Sequence, residues 1–187
     1  MSKQPAIGIA VSATGQTGTG WGYLSAHYAA FRPEYEAMLR SVGIRPGWRV
    51  LDAGCGGGDF LPLLADLVGP RGAIVAVDLA EDNVAIARQR VIDRALPCPV
   101  DVRAGSVTAL DFPDAAFDAV WCANTLMYLT DEETDIALAE FRHEAARAAS
   151  WRTRRSTPGC ICSPPRRPSS SPGSGRGGSS TRPSRGA

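Results

Sequence analysis

The run Val50-Leu51-Asp52-Ala53-Gly54-Cys55-Gly56-Gly57-Gly58, followed by Asp78, has the residue types and spacing that could do chemistry in this 187-residue sequence. A glycine-rich turn lets the backbone approach a ligand closely. A helix that starts just after such a turn adds free N–H groups and a positive dipole end. The dinucleotide version of the turn reads G-x-G-x-x-G and holds a pyrophosphate. Here the third glycine position is Asp59, and a carboxylate beside a diphosphate is repulsive, so a ligand without phosphates fits better. Asp52 places a carboxylate beside the turn, suited to a cationic or amino-bearing ligand, with a strand-end cap as the plainer alternative. Asp78 ends the next apolar run, where it could accept hydrogen bonds from both hydroxyls of a ribose; taken alone it also reads as a helix N-cap or a turn residue. Asp59 reads as a first-turn acid complementing the helix dipole, and Cys55 as a small residue in a crowded turn rather than a nucleophile.

The elements that must position these groups follow from periodicity. Arg49-Val50-Leu51-Asp52 is a short buried strand, broken by glycines 54 to 58, and helical spacing resumes over 60–68 before Gly69-Pro70. Ala73-Ile74-Val75-Ala76-Val77-Asp78 is a β-branched strand, 82–94 a helix, Val100-Asp101-Val102-Arg103 a third strand and Phe117-Asp118-Ala119-Val120-Trp121-Cys122 a fourth, with a helix from 131 to about 149. Strands alternating with helices imply βαβ crossovers, hence an α/β fold with a Rossmann-like doubly wound parallel sheet. The carboxyl ends of its first two strands are neighbours, which brings Asp52 and Asp78 to one crevice. An amino-acid end at Asp52 and a ribose at Asp78 together describe S-adenosylmethionine (SAM). Upstream, Tyr28, Phe31, Tyr35, Met38 and Leu39 recur at helical spacing over 25–42, and Pro33 must start or kink a turn there.

The ordered motifs VLDAGCGGG, VAVD, the turn Ala104-Gly105-Ser106-Val107 and FDAVWCANTLMYL resemble those of class I SAM-dependent methyltransferases of the small-molecule type, over about residues 31 to 141. The resemblance implies that Asp52, Gly54, Cys55 and Gly56 contact the methionine portion and that Asp78 binds the ribose hydroxyls. It further implies that Leu79 packs on the adenine, that Ser106 and Val107 flank it, and that Asn124 faces the methyl-transfer site. Many members carry Asp where this chain has Ser106, so that position also reads as simple loop; Asn124 and Tyr128 equally read as turn and core. His27 and Tyr28, on a candidate lid helix, read as surface and core respectively. The implied reaction is in-line displacement of the sulfonium methyl by a small-molecule acceptor, in which positioning supplies much of the rate. No catalytic base is singled out, and the acceptor and the oligomeric state stay open.

Composition bounds the rest. With 44% hydrophobic and 21% charged residues the sequence is that of an ordinary soluble globular protein, and no run approaches the ~18 apolar residues of a membrane helix. The first twenty residues, small and polar, read as a flexible lead and not a secretory signal, which makes the cytoplasm the expected location. Five cysteines with no CxxC pair, and two distant histidines, give no metal site to build on. All 19 acidic residues and 12 of the 20 basic ones lie in 1–150, whereas 151–187 holds eight arginines and no acid. That last segment, rich in Arg, Ser, Pro and Gly, reads as disordered and, lacking interleaved aromatics, not as a nucleic-acid arm. The domain expected is therefore 21–150, with strands 1 to 4 of the family's usual seven.

The change near residues 142–150 resembles GC-rich coding DNA translated in a shifted frame. Val120, Trp121 and Cys122 would then lie on an unprotected sheet edge, an aggregation template, and weak activity or none is expected of the isolated chain. Two rival functions remain: an inactive or binding-only methyltransferase remnant, and an NAD-dependent oxidoreductase.

Overall fold

The computed structural model describes residues 21–145 and 160–162; the expectations for 1–20, and for 151–187 apart from 160–162, lie outside the described residues. The elements are α1 (Trp21–Ala30), α2 (Arg32–Ser41), β1 (Arg49–Ala53), α3 (Leu61–Val68), β2 (Ala73–Asp78), α4 (Glu81–Arg94), β3 (Val100–Ala104), β4 (Ala119–Cys122), a single 3-10 turn (Leu126–Tyr128), α5 (Asp131–Glu144) and β5 (Cys160–Cys162). The sheet runs in the order β3-β2-β1-β4-β5. Its first four strands are parallel, with Leu51 opposite Val75 and Val120, and Asp78 opposite Ala104. That is the doubly wound order expected, with β1 and β2 adjacent at the centre.

Period-two side-chain alternation divides the strands between two cores. Val50, Ile74, Ala76, Val102, Ala119 and Trp121 point to one face, where Leu39 of α2, Leu61 and Leu64 of α3 and Val84 and Ala87 of α4 cover them. Leu51, Ala53, Val75, Val77, Val120 and Cys122 point to the other, against Phe117 and against Ala137 and Phe141 of α5. An aromatic chain ties the N-terminal helices to the sheet: Tyr28 packs edge-on against Phe60 at 5.0 Å and Phe60 against Trp121 at 5.2 Å. Such pairs add about 0.5–1.5 kcal/mol each beyond the area that they bury.

Three differences from the sequence expectation stand out. The expected helix over 25–42 is two helices, because Pro33 lies at the start of α2 and the chain turns at Phe31. The edge of β4 is covered: Cys160–Cys162 pairs antiparallel along it, with Ile161 opposite Trp121. Backbone hydrogen bonding needs no hydrophobic periodicity, so composition gave no sign of this pairing. The C-terminal helix also ends sooner than expected, at Glu144, where the carbonyls of His143 and Glu144 accept from the amides of Ala115 and Phe117 at 2.8 and 2.9 Å. Its start is fixed by a capping box, Thr130 accepting from the Glu133 amide while the Glu133 side chain accepts from the Thr130 amide.

A cleft at the carboxyl ends of the strands

The glycine turn after β1 is held from below by β2. The amides of Gly54 and Cys55 donate to the carbonyl of Val77 at 2.7 and 2.9 Å. The amide of Gly56 donates to the Asp78 carboxylate at 2.7 Å. Gly54 has φ +77°, and a Cβ there would stand 2.1 Å from the Thr125 hydroxyl. Glycine is thus demanded twice at this position, by conformation and by the approach of the β4 loop. At Gly56, φ +53°, a Cβ would meet Leu24 of α1 at 3.0 Å, so the lid helix rests on the turn.

Asp78 braces the site. One carboxylate oxygen accepts from Gly56; the other accepts from the Ala80 amide at 3.0 Å and the Asn83 side-chain amide at 3.1 Å. It is neither the N-cap, which is Ala80, nor a loose turn residue. It joins the glycine turn to the first turn of α4 while keeping an oxygen-rich face on the cleft.

The cleft has a volume of about 250 Å³. Eight of the nine expected cofactor contacts form its wall: Gly54, Cys55, Gly56, Asp78, Leu79, Ser106, Val107 and Asn124. Leu79 is 61% exposed, an apolar surface beside the Asp78 carboxylate. Ser106 caps its own loop, its hydroxyl meeting Thr108 Oγ1 at 2.7 Å and accepting from the Thr108 amide at 3.2 Å. Cys55 is buried; burial first, then the charges of Asp52 and Asp78, push its thiol well up, away from the thiolate that a nucleophile needs.

Asp52 is the ninth, and the structure does not bring it to the wall. It is 1% exposed beneath the turn, and its Oδ2 has no hydrogen-bond partner. Burial, reinforced by Asp78 and then Asp59, pushes its carboxyl up to about 8. The physical reason is its register: Asp52 pairs in the sheet with Ala76 and Trp121, one residue short of the strand end, so its side chain enters the interior. With its carboxyl pushed up that far, Asp52 keeps its proton near neutrality, and the negative charge beside the glycine turn rests on Asp78, favourable to a ligand with positive charge.

Asp59 departs from the expectation of a first-turn acid. It is ion-paired with Arg90 of α4 and accepts from Ser25 of α1 at 2.9 Å, and so clasps the lid helix to the domain. Its charge is compensated, which weakens the repulsion argument against a diphosphate. A stronger argument replaces it: the amides of Gly54, Cys55 and Gly56 all donate within the protein, whereas a diphosphate site presents such amides to its ligand.

Sequence reasoning passed over Tyr23 and read His27 as surface, Tyr28 as core and Tyr128 equally as turn and core; all four line the cleft. His27 is not a free surface residue; its Nδ1 meets Tyr35 Oη at 3.2 Å. Tyr28 is half-buried and stacks parallel to Tyr35 at 6.0 Å. Thr125, 3.3 Å from the Gly54 carbonyl, carried no sequence signal, whereas the helical spacing that placed Tyr28 and Tyr35 on one face was visible.

The model of the methyltransferase domain family matches residues 50–145. A ubiquinone/menaquinone biosynthesis C-methyltransferase UbiE from Xanthomonas campestris is 38% identical over 103 residues, which are 55% of this chain and 40% of that protein. The protein of the same name from Shewanella piezotolerans is 31% identical over 99 residues, 53% of this chain and 39% of that one. The chain thus spans about two fifths of the length of these relatives. A SAM dependent methyltransferase structure from Aquifex aeolicus is 29% identical, with 66% of this chain and 68% of that chain covered at a TM-score of 0.56.

Proposed function

The chain belongs to the methyltransferase domain family, and from that premise we propose that it transfers a methyl group from SAM to a small-molecule acceptor. The observation that carries the reading is Asp78, which lines the cleft while it accepts the amide of Gly56. A single acid thereby shapes the glycine turn and offers acceptor oxygens to a ribose beside it.

The residues present fit the cofactor. Gly54 and Gly56 leave the floor free of side chains, Asp78 would accept from the ribose, and exposed Leu79 with Val107 and Ser106 would flank the base. Asp52, buried beneath the turn with one oxygen unpartnered and its carboxyl pushed up to about 8, supports the turn from within, and the negative potential that favours an ammonium or sulfonium comes from Asp78. When bound, SAM supplies a methyl group on a positively charged sulfur that departs as a neutral thioether. The chain's own part is orientation. The clasp of Ser25, Asp59 and Arg90 holds α1 over the turn, and Tyr23, Tyr28 and Tyr128, which line the cleft, exclude water and confine the acceptor. Alignment of two reactants in this way accounts for a large share of such rate accelerations.

Among the described residues no helix is long and apolar enough to cross a membrane. Cys55, Cys98 and Cys122 are, among the described residues, buried thiols outside any disulfide, suited to a reducing compartment, and the cytoplasm is the proposed location. The test is competition at the cleft followed by turnover. Methyl-labelled SAM should bind, resist displacement by NAD, and yield S-adenosylhomocysteine when a library of small phenols, amines and thiols is supplied. Binding without transfer to any acceptor would favour a binding-only protein, and displacement by NAD would favour a dinucleotide enzyme.

A further inference from the structure

Tyr35 is 5% exposed and lies between two cleft residues of different elements. Asn124, in a left-handed conformation at φ +59°, directs its side-chain amide to Tyr35 Oη and donates at 2.7 Å. A phenol has one proton to give. With its oxygen accepting from Asn124, the Tyr35 hydroxyl has its proton to offer to His27 Nδ1, 3.2 Å away. A neutral imidazole that accepts at Nδ1 carries its own proton on Nε2. The ring also packs beside Phe31 at 4.9 Å and Tyr23 at 6.1 Å between centroids, which limits its orientation.

We propose that His27 is a positioning residue for the methyl acceptor: the Asn124–Tyr35 relay holds it as the Nε2–H tautomer, and that N–H donates to an oxygen lone pair of the acceptor. The proposal rests on the methyl-transfer reading of the cleft. His27 lines the cleft with Tyr23 and Tyr28 of the same helix, α1, whereas the glycine turn and Asp78 come from the ends of β1 and β2. A donor at that place orients an acceptor through an oxygen near the methylated atom without removing a proton from it. The relay thus links the loop after β4 to α1.

Two measurements on the full chain test this. Long-range proton–nitrogen correlation spectra of the histidine rings, assigned with His143→Asn, should show His27 protonated at Nε2 and unprotonated at Nδ1. Tyr35→Phe should convert His27 to a mixture of tautomers. In protein saturated with S-adenosylhomocysteine, phenol and toluene are matched probes that differ by one hydroxyl. His27→Leu should weaken phenol roughly three- to tenfold, the range of one neutral hydrogen bond, and leave toluene unchanged; His27→Gln, which keeps a donor, should restore phenol. A wild-type His27 protonated at Nδ1, or His27→Leu that binds phenol as tightly as wild type, overturns the proposal. The tautomer is read equally well in the free chain, so a failure of S-adenosylhomocysteine to bind counts against the cofactor reading alone.

Discussion

Replacement of Gly54 by alanine probes the turn where conformation and packing coincide. At φ +77° an alanine adopts a left-handed backbone, which costs about 1–2 kcal/mol. Its Cβ would also stand 2.1, 2.6 and 2.8 Å from three side-chain atoms of Thr125, distances that force the β4 loop to move. Overpacking of that kind costs about 1–3 kcal/mol, so the substitution should destabilise by roughly 2–5 kcal/mol. Gly43 supplies the control: φ is +84° and nothing lies within 4 Å of its Cβ position. Gly43→Ala should therefore show the backbone part alone, about 1–2 kcal/mol. Thermal unfolding followed by circular dichroism reads both, at a few degrees per kcal/mol for a domain of this size. The double variant Gly54→Ala/Thr125→Ala should recover at least about 1 kcal/mol relative to the sum of the singles, as contacting residues do. If Gly54→Ala unfolds no earlier than Gly43→Ala, or the double variant shows no coupling, the packing of Thr125 on the turn has been misread.

Asp52 and Arg90 give two further tests. The Asp52 carboxyl titrates near 8 in the folded chain against 3.8 for an ordinary carboxyl, so the folded state holds the proton more tightly. Its stabilising effect is complete below about 3.8 and is lost as pH rises through about 8. Asp52→Asn should flatten the fall in melting temperature over that interval, and parallel wild-type and variant curves would contradict the assignment. Arg90→Ala leaves the half-buried Asp59 carboxylate unpaired, at a cost of about 1–3 kcal/mol, between the exposed and the buried cases. It should also expose α1 to limited proteolysis; an unchanged cleavage pattern would show that the clasp does not hold the lid.

What the sequence revealed and what it hid divide by the range of the interactions. The turn, Asp78 and the alternation of strands and helices are local patterns, legible because periods of two and 3.6 and runs of glycine are written in neighbouring residues. Two cores on opposite faces of one sheet follow from the same alternation. The clasp joins residues 34 and 31 apart, Ser25 with Asp59 and Asp59 with Arg90, and the relay joins residues 89 apart, Tyr35 with Asn124. No local pattern encodes such pairings. Asp52 illustrates a subtler limit. Its place in the motif was evident, but whether its side chain lines the cleft or lies beneath it depends on one residue of strand register. His27 read as surface because a single histidine on a helix carries no mark of its partner.

The cleft makes its strongest commitment at Asp78, and calorimetric titration of S-adenosylhomocysteine into the full chain tests it directly. The expected result is one site of micromolar affinity for the wild type, weakened about tenfold or more in Asp78→Asn, because hydrogen bonds to an ionised acceptor are worth about 1.5–3 kcal/mol. Equal affinity in the two proteins, or binding of NAD in preference to S-adenosylhomocysteine, would contradict the account.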